Sequence, residues 1–321
     1  MFVFGDSIVD NGNNNYLDSF AKSNYLPYGI DFYRGPTGRF CNGRTIIDFL
    51  AYEDANTVEK MLHGVNFASA AAGILDQTGQ FLGDRFSLGQ QIANFKSSSE
   101  ELRNKMGGKN MSQFLAKSIT MVVVGSNDYI NNYLLPTLYV TSYYYTPQDY
   151  ANLLIERYTQ NLLELYNAGL RKIFLAGVGP LGCIPNQLAT NFTPPGECVS
   201  NVNEIVGMFN ERLKSLVDQL NSDHHDAVFV YGNTFGAVND MLNSPSNYGF
   251  RVTDEGCCGV GRNQGQITCL PLSVPCRNRN EYVFWDAFHP TEAVNAVLAK
   301  KAYVGASSDC HPINVQQMAQ M

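Results

Sequence analysis

The chain is short of positive charge: lysine and arginine total 22 against 29 acidic residues, which gives a net charge of −7 over 321 residues. A protein that binds a nucleic-acid backbone needs clustered Lys and Arg side chains, and this sequence has no such cluster, so nucleic acid is excluded as a partner. Long hydrophobic runs are also missing. The longest runs, such as residues 119–124, are strand-sized and far shorter than the roughly 20 residues of a membrane-spanning helix.

The motifs of several common cofactor sites are missing or incomplete. No Cys-x-x-Cys pair and no His/Cys cluster has the spacing of a zinc site. Residues 177–182 fit the G-x-G-x-x-G pattern of dinucleotide-binding proteins, but Pro180 interrupts the helix that this motif requires. No G-x-S-x-G is present, which excludes the nucleophile elbow of α/β-hydrolases. We therefore expect neither a metal nor an organic cofactor.

Cysteine, in contrast, is moderately abundant, with eight residues. Six of them lie in loop-rich stretches that bury little apolar area and need cross-links: Cys183, Cys198, Cys257, Cys258, Cys269 and Cys276. Disulfides are the expected state, although the sequence leaves the pairing open. Sequons at Asn110 and Asn191 agree with a secreted glycoprotein. No signal peptide precedes the first predicted strand, which we interpret as a trimmed start.

Short apolar runs alternate with helical patterns along the whole chain. Strands are predicted at residues 2–4, 65–67, 119–124, 172–176 and 227–231. Helices are predicted near residues 150–168, 201–221 and 292–303, where apolar side chains recur every three or four positions. This alternation predicts a parallel sheet with helices on both faces. No linker or repeat divides the sequence, so residues 1–321 are expected to form a single domain.

Four short blocks carry polar side chains that suit one chemistry. Ser7 ends a Gly-Asp-Ser segment after the first predicted strand, Gly73 ends the block after the second, and Asn127 follows the third. The fourth block, near the C-terminus, contains Asp286 and His289. A serine hydroxyl, an imidazole and a carboxylate are the parts of an activated oxygen nucleophile. The carboxyl ends of parallel strands meet at one edge of the sheet, so we expect these blocks to lie together.

The four blocks resemble those of the GDSL esterase/lipase family, the SGNH hydrolases, in its plant branch. Other signatures of that branch recur, among them Pro-Tyr-Gly-Ile-Asp-Phe at residues 27–32 and Gly-Cys-Cys-Gly at residues 256–259, so the likeness covers nearly the whole chain. The resemblance implies a three-layer α/β/α, flavodoxin-like fold with a five-stranded parallel sheet. It also implies a carboxylic ester hydrolase that cleaves small-molecule or lipid esters through an acyl-enzyme, without a cofactor.

Each proposed triad member has a simpler alternative role. Ser7 is the candidate nucleophile and His289 its general base, because an imidazole titrates near the working pH. His289 could instead be a surface histidine. Asp286 would hold the imidazole in the correct tautomer, although it could also be a carboxylate at the start of the following helix. Asp6, the competing carboxylate, is better suited to stabilising its turn.

The oxyanion hole requires donors aimed at the ester carbonyl oxygen. The resemblance assigns this role to the Asn127 side-chain amide and to the backbone N–H groups of Ser7 and of the second block. Asn127 could instead only close a turn. In the second block many relatives have Gly-Gly where this chain has Ala70-Ala71. We predict Gly73 as the donor, with Ala71 as the alternative.

Two other functions use the same residues. An acyltransferase would form the same acyl-enzyme and pass the acyl group to an alcohol instead of water. A catalytically silent binding protein is favoured slightly by the short crossover at residues 52–60 and disfavoured by the intact blocks. The aromatic-rich segment 129–150 is either an apolar mouth for an acyl chain or ordinary packing. The sequence leaves open the acyl length, the alcohol and the oligomeric state.

Overall fold

The computed structural model describes residues 1–50 and 62–321, which are built around a six-stranded sheet of order β2-β1-β3-β4-β5-β8. Its strands are β1 (Phe2–Gly5), β2 (Val65–Asn66), β3 (Ile119–Val123), β4 (Lys172–Ala176), β5 (Val228–Gly232) and β8 (Cys310–His311). The first five are parallel, and their bounds agree with the predicted strands to within one or two residues. The short crossover noted at residues 52–60 lies outside the described residues.

The prediction of a five-stranded sheet was wrong in the number of strands. The sixth strand, β8, pairs antiparallel with the edge strand β5, through Tyr231 opposite His311 and Gly232 opposite Cys310. Cys310 and His311 lie between the polar residues 307–309 and a proline, so no apolar run marks them as a strand in the sequence.

Side chains of the central strands alternate between two apolar layers, as the pleat of a strand requires. Phe2 and Phe4 of β1 enter the larger core, whereas Val3 enters the smaller core on the opposite face. In β4, Ile173 and Phe174 divide in the same way. Because both faces are buried, these strands appear in the sequence as continuous apolar runs.

Helices cover both faces and confirm the three-layer α/β/α arrangement. The larger core is covered by α2 (Leu88–Met106), α3 (Gly108–Lys117), α6 (Pro147–Asn167) and α8 (Ser200–Asp223). The smaller core is covered by α1 (Ile46–Phe49), α10 (Glu292–Val304) and α11 (Val315–Gln320). Shorter helices follow the strands: α4 (Ser126–Asp128), α5 (Thr141–Tyr144), α7 (Pro185–Thr190) and α9 (Thr234–Asn243).

The ends of the long helices have local causes in the sequence. Thr146 caps α6 by accepting a hydrogen bond from the Asp149 N–H, and Pro147 occupies the first turn, where its missing N–H costs nothing. After the helix, Gly169 has a φ of +113° and turns the chain toward β4. No helix in the described part of the chain is long and apolar enough to cross a membrane.

A second, two-stranded parallel sheet of β6 (Val252–Gly256) and β7 (Tyr282–Phe284) is followed directly by the segment that carries Asp286 and His289. Two disulfides, Cys257–Cys276 and Cys258–Cys269, cross-link the loop between these strands, and Cys183–Cys198 closes another loop. The predicted disulfides are thereby confirmed. The remaining two cysteines, Cys41 and Cys310, are buried thiols.

The disulfide arrangement predicts the result of thiol counting. Alkylation of denatured, unreduced protein should modify Cys41 and Cys310 only, because the other six sulfurs are already bonded. Peptide mass mapping before and after reduction identifies the labelled positions. Alkylation of any cysteine between residues 257 and 276 without reduction would contradict the pairing.

Candidate active site

Ser7 lies in a tight turn directly after β1. The Asp6 N–H donates to the Val123 carbonyl at 3.0 Å, and the N–H groups of Val9 and Asp10 return to the Asp6 carbonyl at 3.2 and 3.0 Å. The Asp6 side chain accepts the Ile8 N–H at 3.0 Å, a turn-stabilising contact. An irregular loop follows instead of an α-helix. The turn thus presents the Ser7 side chain at the carboxyl edge of the sheet.

At Gly5, beneath this turn, the backbone of β1 lies in close contact with that of β3. A Cβ at Gly5 would lie 2.2 Å from the Val123 carbonyl oxygen, so no side chain fits between β1 and β3. Its N–H donates to Gln91 Oε1 at 2.9 Å, and Gln91 Nε2 donates back to the Gly5 carbonyl at 2.8 Å. This buried glutamine of α2 fixes the backbone two residues before Ser7, and sequence analysis assigned it no role.

The Asp286–His289 segment folds back on itself. The Trp285 N–H donates to the His289 carbonyl at 2.8 Å. Asp286 Oδ1 accepts the backbone N–H groups of Phe288 and His289, both at 2.8 Å. The three-residue spacing therefore brings the carboxylate to its own histidine. Thr291, by accepting the Val294 N–H, is the residue that caps α10, so Asp286 is not the helix-entry carboxylate.

The three side chains form a continuous hydrogen-bonded chain. His289 Nε2 is 2.8 Å from Ser7 Oγ, and His289 Nδ1 is 2.9 Å from each Asp286 oxygen. Asp286 is completely buried. Burial alone would raise the pKa of its carboxyl, but the charge of His289 and hydrogen bonds from His289, Tyr28 and Phe288 lower the pKa below its usual value. An ionised Asp286 can therefore accept the Nδ1 proton while Nε2 faces the serine.

Three potential donors meet at the cavity beside Ser7. The N–H groups of Ser7 and Ala71 have no acceptor among the described residues, and both residues line the cavity. Asn127 Nδ2 donates one hydrogen to the Ala72 carbonyl at 2.9 Å, which leaves its second hydrogen for a ligand. Gly73 does not line this cavity. Ala71, the alternative to Gly73 in the sequence-based prediction, is thus the residue of the second block that combines a free N–H with a place on the cavity wall.

The conformation of the second block explains why Ala71 is presented. The φ of Ala71 is +65°, in the left-handed region that glycine adopts more easily than other residues, so the Gly-Gly of many relatives fits this position. Asp10 Oδ2 accepts the Ala70 N–H at 2.9 Å, and Asn14 Nδ2 donates to the Ala70 carbonyl at 3.0 Å. Ser69 Oγ donates to Asn14 Oδ1 at 2.6 Å. These buried contacts hold the first and second blocks together.

Two further buried carboxylates, Asp128 and Asp6, stabilise loops of the site. Asp128 accepts the N–H groups of Ile74 and Leu75 and the Thr78 hydroxyl. Burial raises the pKa of Asp128 to about 6, although these hydrogen bonds limit the rise. Burial likewise raises the pKa of Asp6 to about 7, against the Ile8 N–H hydrogen bond and the charge of His289. Neither carboxylate is hydrogen-bonded to the imidazole.

A cavity of about 360 Å³ opens beside the triad. One part of its wall, here called the apolar branch, is formed by side chains of a single hydrophobic cluster around α9, β7 and α10: Ile184, Val238, Val283, Phe284, Val294 and Leu298. From the aromatic-rich segment predicted as an apolar mouth, Ile130 and Asn131 reach the cavity, while Tyr143 and Tyr144 are exposed. That segment therefore contributes only one apolar side chain, Ile130, to the wall in the described part of the chain.

Two residues that contact the Asp286 carboxylate were not predicted from the sequence. The Tyr28 hydroxyl donates to Asp286 Oδ2 at 2.5 Å, and Thr268 Oγ1 lies 3.3 Å from the same oxygen. Tyr28 belongs to the Pro-Tyr-Gly-Ile-Asp-Phe signature at residues 27–32, which indicates the family but no role for the tyrosine. Thr268 lies next to Cys269, and no pattern in the sequence distinguishes it.

Comparison with known proteins identifies the family of the chain. The family model described as "GDSL-like Lipase/Acylhydrolase" matches residues 1–302. The chain belongs to this family. Two Arabidopsis thaliana proteins, GDSL esterase/lipase At5g08460 and GDSL esterase/lipase At1g71250, are each 56% identical to it, over 100% and 99% of this chain and 87% and 88% of their own lengths. GDSL esterase/lipase At1g29670 is 51% identical over 100% of this chain and 91% of its own length. Membership shows a carboxylic ester hydrolase.

Replacement of Asn127 separates a role in the oxyanion hole from one in turn formation. If the amide donates to the developing oxyanion, Asn127→Ala should lower kcat by about 10²–10³-fold and change KM little, because the donor acts mainly in the transition state. Steady-state kinetics and the melting temperature of the variant measure the two effects.

Asn132→Ala is the matched control for this prediction. Asn132 is also buried and hydrogen-bonded, to Thr78 and Thr141, but it does not line the cavity. This variant should lose stability with kcat within a few-fold of wild type. An equal loss of kcat in both variants would remove Asn127 from the oxyanion hole.

Proposed function

We propose that this hydrolase cleaves carboxylic esters through an acyl-enzyme formed on Ser7. The observation that carries the proposal is the unbroken chain from Ser7 Oγ through both nitrogens of His289 to the buried Asp286. A serine hydroxyl is a weak nucleophile unless a neighbouring base takes its proton. His289 supplies that base at 2.8 Å, within the distance needed for proton transfer.

The reaction proceeds in two symmetrical halves. Ser7 Oγ attacks the ester carbonyl carbon while its proton passes to His289 Nε2, which gives a tetrahedral intermediate. Collapse of the intermediate breaks the bond to the alcohol oxygen, and the His289 proton leaves with the alcohol. Water then attacks the acyl-enzyme and gives a proton to His289; the bond to Ser7 Oγ breaks, Oγ takes that proton back, and the carboxylic acid is released. Asp286 stabilises the imidazolium at each stage and remains ionised.

The oxyanion of each intermediate is stabilised by three donors in this proposal. They are the backbone N–H groups of Ser7 and Ala71 and the side-chain amide of Asn127. Asn127 is oriented by Asn131 Nδ2, which donates to Asn127 Oδ1 at 2.6 Å and leaves the amide nitrogen toward the cavity. Donors fixed before the reaction begins stabilise the new charge without reorganisation of the protein. Gly73, outside the cavity wall, has no part in this hole.

The apolar branch of the cavity favours a lipid ester over a short, polar one. Its six lining residues carry no ionisable group, and the cavity volume falls within the usual range of ligand pockets, about 300–1,000 Å³. A hydrocarbon chain buried there gains about 0.8 kcal/mol for each methylene group removed from water. We therefore assign this branch to the acyl chain of the substrate.

The same proposal includes secretion and a single folded unit. Three disulfides persist in oxidising compartments, and the sequon residues Asn110 and Asn191 are both exposed. The C-terminal residues support a single domain, because β8 pairs with β5 of the central sheet. Val315 and Met318 of α11 are buried in the smaller core.

Covalent labelling tests the assignment of the nucleophile. A fluorophosphonate probe should phosphonylate Ser7 with loss of ester hydrolysis, because its phosphorus centre mimics the tetrahedral intermediate. Peptide mass mapping locates the adduct. Ser7→Ala should abolish labelling, while Ser126→Ala, which changes another serine on the cavity wall, should keep it. An adduct on any other serine of an active preparation would refute the assignment.

A panel of nitrophenyl esters of increasing acyl length tests the assignment of the apolar branch. Wild type should show kcat/KM rising with chain length until the branch is filled. Val238→Trp should lower kcat/KM for long-chain esters by about tenfold or more and leave acetate hydrolysis within a few-fold, because the indole occupies the space of the acyl chain. A uniform loss for all esters would show that the acyl chain lies elsewhere.

A further inference from the structure

Two hydroxyl groups from distant parts of the chain converge on the outer oxygen of Asp286. Tyr28 belongs to the N-terminal loop, 258 positions before Asp286, and Thr268 belongs to the disulfide-linked loop. The Tyr28 hydroxyl is 2.5 Å from Asp286 Oδ2 and 3.1 Å from Thr268 Oγ1. The hydrogens can be assigned, because an ionised carboxylate has none to give. Tyr28 donates to Asp286, and Thr268 donates to Tyr28 or to the carboxylate.

We propose that Tyr28, supported by Thr268, is a positioning residue that holds the Asp286 carboxylate in the orientation and ionised state needed by His289. It acts through Asp286 and not on the ester. This proposal rests on the proposed function only for the identity of the reaction that Tyr28 supports.

The surroundings of Asp286 explain why a hydroxyl is needed there. A carboxylate taken out of water needs several hydrogen bonds to remain ionised. Oδ1 receives the two backbone N–H groups of its own turn, at Phe288 and His289. Oδ2 receives no backbone donor among the described residues and depends on the side chains of His289, Tyr28 and Thr268. Without the Tyr28 hydroxyl, Oδ2 would lose its shortest hydrogen bond and keep only the contacts with His289 and Thr268, so the carboxylate would be held less firmly and would take up a proton more readily.

Packing alone does not account for a tyrosine at this position. The Tyr28 ring makes edge-on contacts with Tyr25, Phe40 and Trp285 at centroid distances of 5.3–6.0 Å. A phenylalanine would make the same contacts. The hydroxyl is the only part of the side chain that reaches Asp286, so Tyr28→Phe removes the hydrogen bond and keeps the packing.

A matched control is available in Tyr133. It is also buried, its ring stacks on Tyr150 at 4.5 Å, and its hydroxyl donates one hydrogen bond, to the Tyr145 carbonyl at 2.9 Å. It lies outside the cavity wall. Tyr133→Phe therefore loses a comparable hydrogen bond at a site remote from Asp286.

The kinetic test compares Tyr28→Phe, Tyr133→Phe and wild type on one ester. Tyr28→Phe should lower kcat by about ten- to 100-fold with KM within two-fold, because a hydrogen bond to a charged group has been lost in the transition state. Tyr133→Phe should keep kcat within two-fold. Thr268→Val should lower kcat less than Tyr28→Phe, and the double variant should show a non-additive loss, since both hydroxyls serve one oxygen.

The pH profile separates positioning from general stability. With one donor fewer, the Asp286–His289 pair holds a proton more tightly, so the acid limb of kcat/KM should move to higher pH in Tyr28→Phe. The other ionisable groups that act on the pair are Asp6, through His289, and Tyr25, through Asp286, and both are unchanged in this variant. A purely structural residue would lower the melting temperature without moving this limb.

A measurement independent of turnover completes the test. In wild type the proton on His289 Nδ1 should give a downfield resonance in the proton NMR spectrum, because it is shared with a buried carboxylate. Its chemical shift should change in Tyr28→Phe and stay constant in Tyr133→Phe. If wild type hydrolyses no ester, the proposed function fails while this arm still decides the positioning role. An unchanged resonance, or kcat and pH profile within two-fold of wild type, would overturn the proposal.

Discussion

The structure depends most on one buried negative charge. Asp286 has no exposed surface, and a carboxylate in such a place is stable only when hydrogen-bond donors surround it. Its donors come from the N-terminal loop, the disulfide-linked loop and its own turn. Each of these segments has little regular structure of its own, and the shared carboxylate joins all three. The requirement for a satisfied anion therefore connects the catalytic chemistry to the packing of the loops.

Much of the fold could be predicted because its central strands are buried on both faces. Runs such as residues 173–176 contain no polar side chain that would favour a half-exposed strand, and the helix at residues 201–221 has an apolar period that a strand cannot accommodate. The elements that escaped prediction lack such a signal. The strand β8 has two residues, and β6 has only partly buried side chains over most of its length. Their strand geometry is imposed by neighbours that periodicity cannot reveal.

The candidate site shows the same division. Ser7, Asn127, Asp286 and His289 were predicted as site residues because they match the blocks of a known family. The type of a residue does not indicate whether its backbone N–H belongs to the site. Gly73 and Ala71 are equally able to offer an N–H, and only the fold of the loop shows which one faces the cavity. Tyr28 and Gln91 were not predicted for a related reason. Their roles arise from partners 258 and 86 positions away, and no local pattern specifies such a contact.

The distance along the chain between the two halves of the site has a consequence for biosynthesis. Ser7 and His289 are 282 positions apart, so the nucleophile leaves the ribosome long before its base has been made. Contacts of such long range form late in folding, because the loop between them must be ordered first. Under the proposed mechanism, a growing chain that has not reached residue 289 carries the nucleophile without its base. It cannot hydrolyse an ester until the C-terminal segment has been made and has folded onto the N-terminal turn.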